Sequence, residues 1–139
     1  NTDIIGSIEF ACKVAGSKLI VVMGHSKCGA IKGACDHVEM GNLTELLAKI
    51  QPAVYQETQT VEKEHRNSAN DVFVENVASL NVKRSVRAIV ERSFILEQMI
   101  EKGEIGIIGA KHDLETGAVE FYGESLLCNQ ADVQGTLGA

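Results

Sequence analysis

One short stretch of this sequence joins a buried strand to two side chains that can bind a metal. Residues 19–23 form a continuous run of aliphatic, mostly branched residues, which predicts a strand buried on both faces. The segment 24–29 that follows reads Gly-His-Ser-Lys-Cys-Gly. We expect His25 and Cys28 to lie where this strand ends and the next helix begins, the edge at which open α/β sheets bind ligands. Imidazole and thiolate both suit a borderline-soft ion, so the two residues are candidate Zn²⁺ ligands.

Two phosphate-binding motifs that the same glycine-containing segment could suggest are excluded by its residue identities. A Walker loop that began with the first of these glycines would need Lys and then Ser or Thr, where the chain has Ala30 and Ile31. A dinucleotide fingerprint would need Gly where the chain has Ser26. A His-x-x-Cys spacing also arises by chance, so an inert Cys28 and a backbone-bonded His25 stay open as the alternative.

Composition limits the classes of partner and compartment. The chain has 139 residues, enough for one domain with a sizeable core. Its formal charge of −6 argues against a nucleic-acid or anionic-membrane partner. No apolar run approaches the roughly 20 residues that a spanning helix needs. The four cysteines lack the spacing of a disulfide framework, so we expect reduced thiols and a cytoplasmic protein.

The order of apolar and polar stretches predicts an α/β fold with a mostly parallel sheet flanked by helices. Residues 56–70 are polar and are expected to form a solvated helix or an exposed connection. Thr2 or Asp3 and, later, Ser93 are the predicted helix N-caps. We expect helices over 2–15, 28–34, from 41 to an interruption at Pro52, 70–92 and 93–102, and strands over 18–23, 105–110 and 118–122, the last two as a hairpin.

Seven segments of the chain have to be considered together: 7–11, 16–18, 24–31, 41–43, 75–77, 105–110 and 115–117. In combination they resemble the β-class carbonic anhydrases, in their bacterial type. The resemblance extends to about Gly123, so we expect a β-carbonic-anhydrase-like domain over 1–123, incomplete at its N-terminus and lacking the first strands, and a polar tail over 124–139.

The resemblance implies a metal, a reaction and partners. In that family two Cys and one His hold Zn²⁺, and His25 and Cys28 match the second and third of these ligands. The implied activity is the zinc-dependent reversible hydration of CO₂ to bicarbonate and a proton, which makes the parent enzyme a lyase. The implied assembly is a homodimer or homotetramer. Gly29 is a candidate substrate-site residue because a side chain there would crowd the ion, close helix–strand packing being the other explanation.

A third ligand and the catalytic pair of the family have no match in this sequence. They belong to a Cys-x-Asp-x-Arg motif, which does not occur within residues 1–139, so we expect no catalytic residue in this chain. Three further cysteines are poor substitutes for the missing ligand. Cys12 falls in an apolar helix stripe, Cys35 is about two helical turns from Cys28, on the order of 10 Å away, and Cys128 lies in the polar tail. The remaining histidines, expected on the surface, are His37, His65 and His112.

Three interpretations of the function remain open at this point. The chain opens where the family resemblance places the segment after the second strand, so the favoured one is part of a longer CO₂-hydrating enzyme. The same zinc chemistry would serve a relative that hydrolyses CS₂ or COS. A catalytically inactive fragment that only packs in an oligomer is the third.

Overall fold

The described part of the chain, residues 1–129 in a computed structural model, alternates helices and strands. The predicted polar tail lies outside this part from residue 130 on. No helix within the described residues is both long and apolar enough to cross a membrane. In chain order the elements are α1 (Thr2–Lys13), β1 (Leu19–His25), α2 (Gly29–Cys35), α3 (Gly41–Ala48), α4 (Gln51–Gln56), a short 3₁₀ helix (Lys63–His65), α5 (Asp71–Glu91), α6 (Phe94–Glu101), β2 (Gly106–His112) and β3 (Val119–Leu127).

The helix ends follow their capping residues, with one change from the prediction. The Ser93 hydroxyl accepts a hydrogen bond from the Leu96 N–H and caps α6, as predicted. At α1 the cap is Asn1, whose side-chain oxygen accepts from the Ile4 N–H at 3.0 Å, so the prediction of Thr2 or Asp3 was wrong. A residue just before the first helical turn caps in this way because its side-chain oxygen reaches the N–H groups of that turn, which have no helical partner.

The strands form one sheet in the order β1-β2-β3. The Gly106 N–H donates to the Lys18 carbonyl at 3.0 Å and the Ser26 N–H to the His112 carbonyl at 2.9 Å. These bonds pair start with start and end with end, as parallel strands do. The connection from β2 to β3 is the predicted hairpin, so the sheet has one parallel and one antiparallel pair. The α/β fold class is confirmed.

The last strand continues beyond the predicted end at residue 122, to Leu127. Ser125 ties this polar end of the strand to β2. Its buried hydroxyl accepts from the Gly109 N–H at 2.8 Å and donates to the Tyr122 carbonyl at 2.6 Å. A serine that satisfies two backbone groups occupies a position that a hydrophobic side chain would otherwise fill.

The chain divides into two compact units, of which the first holds Asn1–Val22, Ser85–Ala110 and the described residues from Phe121 on. Its core joins α1 and α6 and contains Cys12, as predicted for that cysteine. Beside it the Ser93 hydroxyl donates to the Glu9 carboxylate at 2.6 Å. The buried members of this core are Cys12, Leu96, Met99 and Ile105.

The second unit holds Met23–Arg84 and Lys111–Glu120. Its core is built by α2, α3, α4 and the first half of α5, with Phe73, Leu47 and Val77 as its largest fully buried side chains. Pro52 does not break this layer. It stands in the first turn of α4, where its missing N–H would have no helical partner, so it begins a new helix after α3.

Residues 56–70 of the second unit are mostly exposed, as expected, but they contain an ion pair whose carboxylate is buried. The Arg66 guanidinium donates to the Glu57 carboxylate at 2.8 Å, and only 1% of the Glu57 side chain is exposed. The same guanidinium lies 4.8 Å from the centre of the Phe73 ring. Arg66 also donates to three backbone carbonyls, those of Glu57, Thr60 and Val54, and the Asn76 amide donates to Glu57 at 3.1 Å.

Candidate functional site

The two candidate ligands flank a short loop between β1 and α2. His25 is the last residue of β1 and is exposed, and Cys28 is the N-cap of α2 and is half-buried. The predicted helix start at residue 28 is therefore confirmed to within one residue. Between the two, Lys27 has a φ of 55°, a left-handed conformation that non-glycine residues seldom adopt. This turn places both side chains at one end of the strand.

A backbone hydrogen bond fixes the state of the His25 ring. Its Nδ1 lies 2.9 Å from the Ser26 carbonyl oxygen. Because a carbonyl oxygen only accepts, Nδ1 carries the proton and donates, and Nε2 keeps its lone pair. A metal-binding imidazole usually has its other nitrogen held in this way, which sets the ligand nitrogen and the ring orientation. The hydrogen bond of His25 to the backbone is therefore compatible with both interpretations, the inert histidine and the zinc ligand.

Cys28 is a free thiol at a place that leaves it accessible. As N-cap of α2 it makes no side-chain capping hydrogen bond, and it packs against the edge of the second unit's core. Its backbone is extended, with φ −66° and ψ 119°. The side chain is half-buried rather than enclosed, unlike the inert cysteine of the alternative interpretation.

The other end of the same helix shows what an enclosed cysteine looks like. Cys35, the last residue of α2, is 1% exposed, and burial raises its pKa to about 11. Such a thiol stays protonated near neutral pH and is a poor metal ligand. Cys12 is buried in the first unit and Cys128 is half-buried, while His37 and His65 are exposed and His112 is half-buried.

The donors present make up a pair and not a full zinc site. Within residues 1–129 no group of three or more His, Cys, Asp or Glu side chains is placed to hold a metal ion. Protein zinc sites use three or four protein ligands. The chemistry of the pair fits zinc because it joins an imidazole with an oriented lone pair to a free thiol. The number of donors does not fit a complete site.

Backbone contacts tie this loop to the turn that joins β2 and β3, residues 113–118. Besides its bond to the His112 carbonyl, Ser26 accepts a hydrogen bond from the Leu114 N–H through its hydroxyl at 2.9 Å. Lys27 forms an ion pair with Glu115, and this carboxylate raises the pKa of the Lys27 ammonium. Three neighbouring contacts therefore hold the loop against the turn.

The turn itself is organised by Asp113. Its carboxylate accepts from the Glu115 N–H at 2.8 Å and the Thr116 N–H at 3.1 Å. Hydrogen bonds from the Thr116 and Glu115 amides hold the pKa of Asp113 below its usual value. Gly117, with a φ of 76°, supplies the left-handed position that closes the hairpin.

Two glycines at the loop behave differently when a methyl group is placed on them. A Cβ built on Gly24 would lie 2.8 Å from Cγ2 of Val82, so a larger residue there would force a shift of the packing between β1 and α5. A Cβ built on Gly29 meets nothing within 4 Å, so close packing does not explain a glycine at this position. Its assignment to the substrate site stays a prediction.

Sequence reasoning identified the donor pair and missed the groups that support it. Ser26 was considered only as a letter that breaks a dinucleotide fingerprint, although it stands between the two ligands. The spacing Asp113-x-x-x-Gly117 is a usable signal for a side-chain-closed turn. Gly24 could have been noted as a glycine inside a strand, which marks a close backbone approach.

Comparisons with known proteins agree on one family. A family model described as carbonic anhydrase matches residues 1–119. Carbonic anhydrase 2 of Mycobacterium tuberculosis is 28% identical over 122 residues, which cover 84% of this chain and 55% of that protein. The carbonic anhydrase of Mycolicibacterium smegmatis is 27% identical over 123 residues, covering 85% and 55%. The chain therefore spans about half the length of the curated relatives it matches.

Solved structures give the same result for the fold. The β-carbonic anhydrase CafA of Aspergillus fumigatus superimposes with a TM-score of 0.73 at 28% identity, covering 88% of this chain and 57% of that one. A β-carbonic anhydrase of Sordaria macrospora, at 22% identity, shares the fold with a TM-score of 0.72 and covers 88% and 61%. With a matching family model over most of its length and this shared architecture, the chain belongs to the β-carbonic anhydrase family.

Proposed function

We propose that the full-length parent of this chain catalyses the reversible hydration of CO₂ to bicarbonate and a proton, with zinc as its cofactor. Family membership supports the reaction class. The observation that carries the zinc assignment is the His25–Cys28 pair at the end of β1, with the imidazole Nδ1 engaged by the Ser26 carbonyl and Nε2 left to bind. Zinc in such a setting acts as a Lewis acid and lowers the pKa of bound water.

In this proposal His25 and Cys28 bind the metal and each has a distinct requirement. His25 must bind through Nε2, and its bond to Ser26 selects the tautomer of the neutral ring that has Nε2 unprotonated. Cys28 must give up its proton to bind, and its half-buried place at the start of α2 leaves room for that. Because the described residues supply two donors, a further ligand has to come from outside them.

We also propose that the protein works as a homo-oligomer, a dimer or a tetramer. The Sordaria macrospora enzymes are described as tetrameric. In this chain α1 carries Ile4 and Phe10 and is followed by Val14, its C-cap; each is more than half exposed, which is apolar area suited to a partner of the same kind. Sedimentation of the purified protein should give a mass at least twice that of one chain, and a monomer at micromolar concentration would contradict this.

The reaction is tested by stopped-flow CO₂ hydration with a pH indicator. We expect activity in the full-length parent enzyme and its loss in His25→Ala and Cys28→Ser, with His37→Ala as the matched control because His37 is an exposed histidine in the same unit. Full activity in either ligand variant would overturn the assignment. A wild type that is inactive on CO₂ but hydrolyses CS₂ or COS would overturn the substrate while leaving the zinc pair in place.

A further inference from the structure

We propose that the β2–β3 turn, residues 113–118, positions the His25–Cys28 pair for metal binding, and that Ser26 is the positioning residue that connects them. This inference rests on the proposed function because it assigns a role relative to the ligand pair. It adds a group of residues that neither family membership nor the donor pair itself identifies.

The first step is that the N–H, the carbonyl and the hydroxyl of Ser26 each form a hydrogen bond, either with His25 or with the segment 112–114. Its N–H donates to the His112 carbonyl at 2.9 Å, its carbonyl accepts from His25 Nδ1 at 2.9 Å, and its hydroxyl accepts from the Leu114 N–H at 2.9 Å. The same residue that orients the imidazole is therefore fixed at two points to the segment 112–114. A shift of that segment moves the carbonyl that holds the ring.

The second step is that the loop needs an external hold. Lys27, between Ser26 and Cys28, has a φ of 55°, which costs a non-glycine residue roughly 1 kcal/mol or more. A conformation of this kind persists only where surrounding contacts fix it. The contacts present are those of Ser26 and the ion pair between Lys27 and Glu115, and both lead to the turn.

The third step is that the turn is closed by hydrogen bonds of its own. Asp113 closes it with two hydrogen bonds to its carboxylate, and the Asp113 N–H donates to the Ala118 carbonyl at 2.8 Å. The Gly117 N–H returns to the Asp113 carbonyl at 2.8 Å. A turn that is closed by its own bonds can serve as a fixed support for the ligand loop.

The test measures Co²⁺ binding to the purified full chain, followed by thiolate-to-cobalt absorption, which reports ligation by Cys28. We expect Ser26→Ala to weaken Co²⁺ binding by about 10- to 100-fold, the range found when groups that orient metal ligands are removed. Ser26→Thr, which keeps the hydroxyl, should restore most of the affinity. Asp113→Ala should weaken binding in the same way and Asp113→Asn, which keeps the acceptor oxygen, should not.

Two controls separate positioning from general destabilisation. Ser68→Ala removes a serine hydroxyl of the same unit that donates to Asp36 at 2.6 Å, far along the chain from the loop, and should leave Co²⁺ affinity unchanged. The ring tautomer of His25, read from imidazole nitrogen chemical shifts in the metal-free chain, should move away from the Nδ1-protonated form in Ser26→Ala and not in Ser68→Ala.

The outcomes test the positioning role of Ser26 and the zinc-ligand assignment separately. Wild-type affinity in Ser26→Ala, or a Ser26→Thr variant no better than Ser26→Ala, would overturn the positioning role while the zinc assignment stands. A wild-type chain whose cobalt absorption persists in Cys28→Ser would overturn the ligand assignment of the proposed function. In that case the tautomer comparison alone still decides whether Ser26 orients His25.

Discussion

Two irregular segments of the second unit are held in place by different means. The loop 25–28 is exposed and is held from outside, by hydrogen bonds and an ion pair to a neighbouring turn. The segment 56–70 is held from inside, by a carboxylate that is almost fully buried and a guanidinium that reaches three backbone carbonyls. The two segments therefore differ in burial: a buried carboxylate organises 56–70, whereas the candidate donor groups of 25–28 stay exposed or half-buried.

The largest expected effect is on the buried pair. Replacing Arg66 by Met leaves the Glu57 carboxylate buried without its cation, and breaking such a pair costs about 3–5 kcal/mol in the free energy of unfolding. Urea unfolding followed by circular dichroism measures it. Glu64→Gln, which removes an exposed carboxylate of the same segment, is the matched control and should change stability little. A loss below 1 kcal/mol in Arg66→Met would show that the segment does not depend on this pair.

The next effect concerns the packing beneath the ligand loop. In Gly24→Ala the new methyl group would lie 2.8 Å from Cγ2 of the buried Val82, and overpacking of this kind costs about 1–3 kcal/mol. Gly29→Ala is the matched control because its methyl group meets no atom within 4 Å. Equal unfolding free energies for the two variants would contradict the close approach at Gly24.

A smaller effect is the pH dependence contributed by Cys35. Burial raises the pKa of this thiol to about 11 from 9.0, so the folded state keeps the proton longer than the unfolded chain does. Stability from this group is complete below about pH 9 and is lost as pH rises towards 11. Unfolding free energy measured across this range should decline, and the decline should shrink in Cys35→Ala. An identical slope in the variant would contradict the assignment.

The smallest effect is expected at the exposed ion pair of the loop. Lys27→Met and Glu115→Gln should leave the unfolding free energy unchanged within error, because both side chains are more than half exposed and exposed pairs contribute little. Urea unfolding, as for Arg66→Met, allows the losses in unfolding free energy for the two segments to be compared directly. A loss as large as that in Arg66→Met would remove the contrast between them.

Features of the fold and the site could be predicted from the sequence when they depend on residues close together along the chain. The strand before His25, the helix start at Cys28 and the Ser93 cap follow from neighbouring residues, and each was predicted from a local pattern. The prediction that this strand is buried on both faces was wrong, because its residues alternate between exposed and half-buried. The donor pair was visible because its two members are three residues apart. What it could bind followed from ligand chemistry, which is also local.

The parts that sequence reasoning missed depend on contacts between distant residues. Ser26 meets Leu114 across 88 positions of the chain, and Asn76 meets Glu57 across 19. The burial of Glu57 within 56–70 could not be predicted, because a buried ion pair and two exposed charged residues have the same amino-acid composition. The polar end of β3 was missed for the same reason, since the partner of Ser125 is on β2.

The measurement that tests the central claim most directly is the zinc content of the purified protein by mass spectrometry, compared between wild type, Cys28→Ser and Cys35→Ala. These two cysteines begin and end one helix region, one half-buried and one enclosed. We predict that the wild type and Cys35→Ala retain zinc and that Cys28→Ser does not. Zinc retained in full by Cys28→Ser would contradict the account, because the ion would then be held without the His25–Cys28 pair.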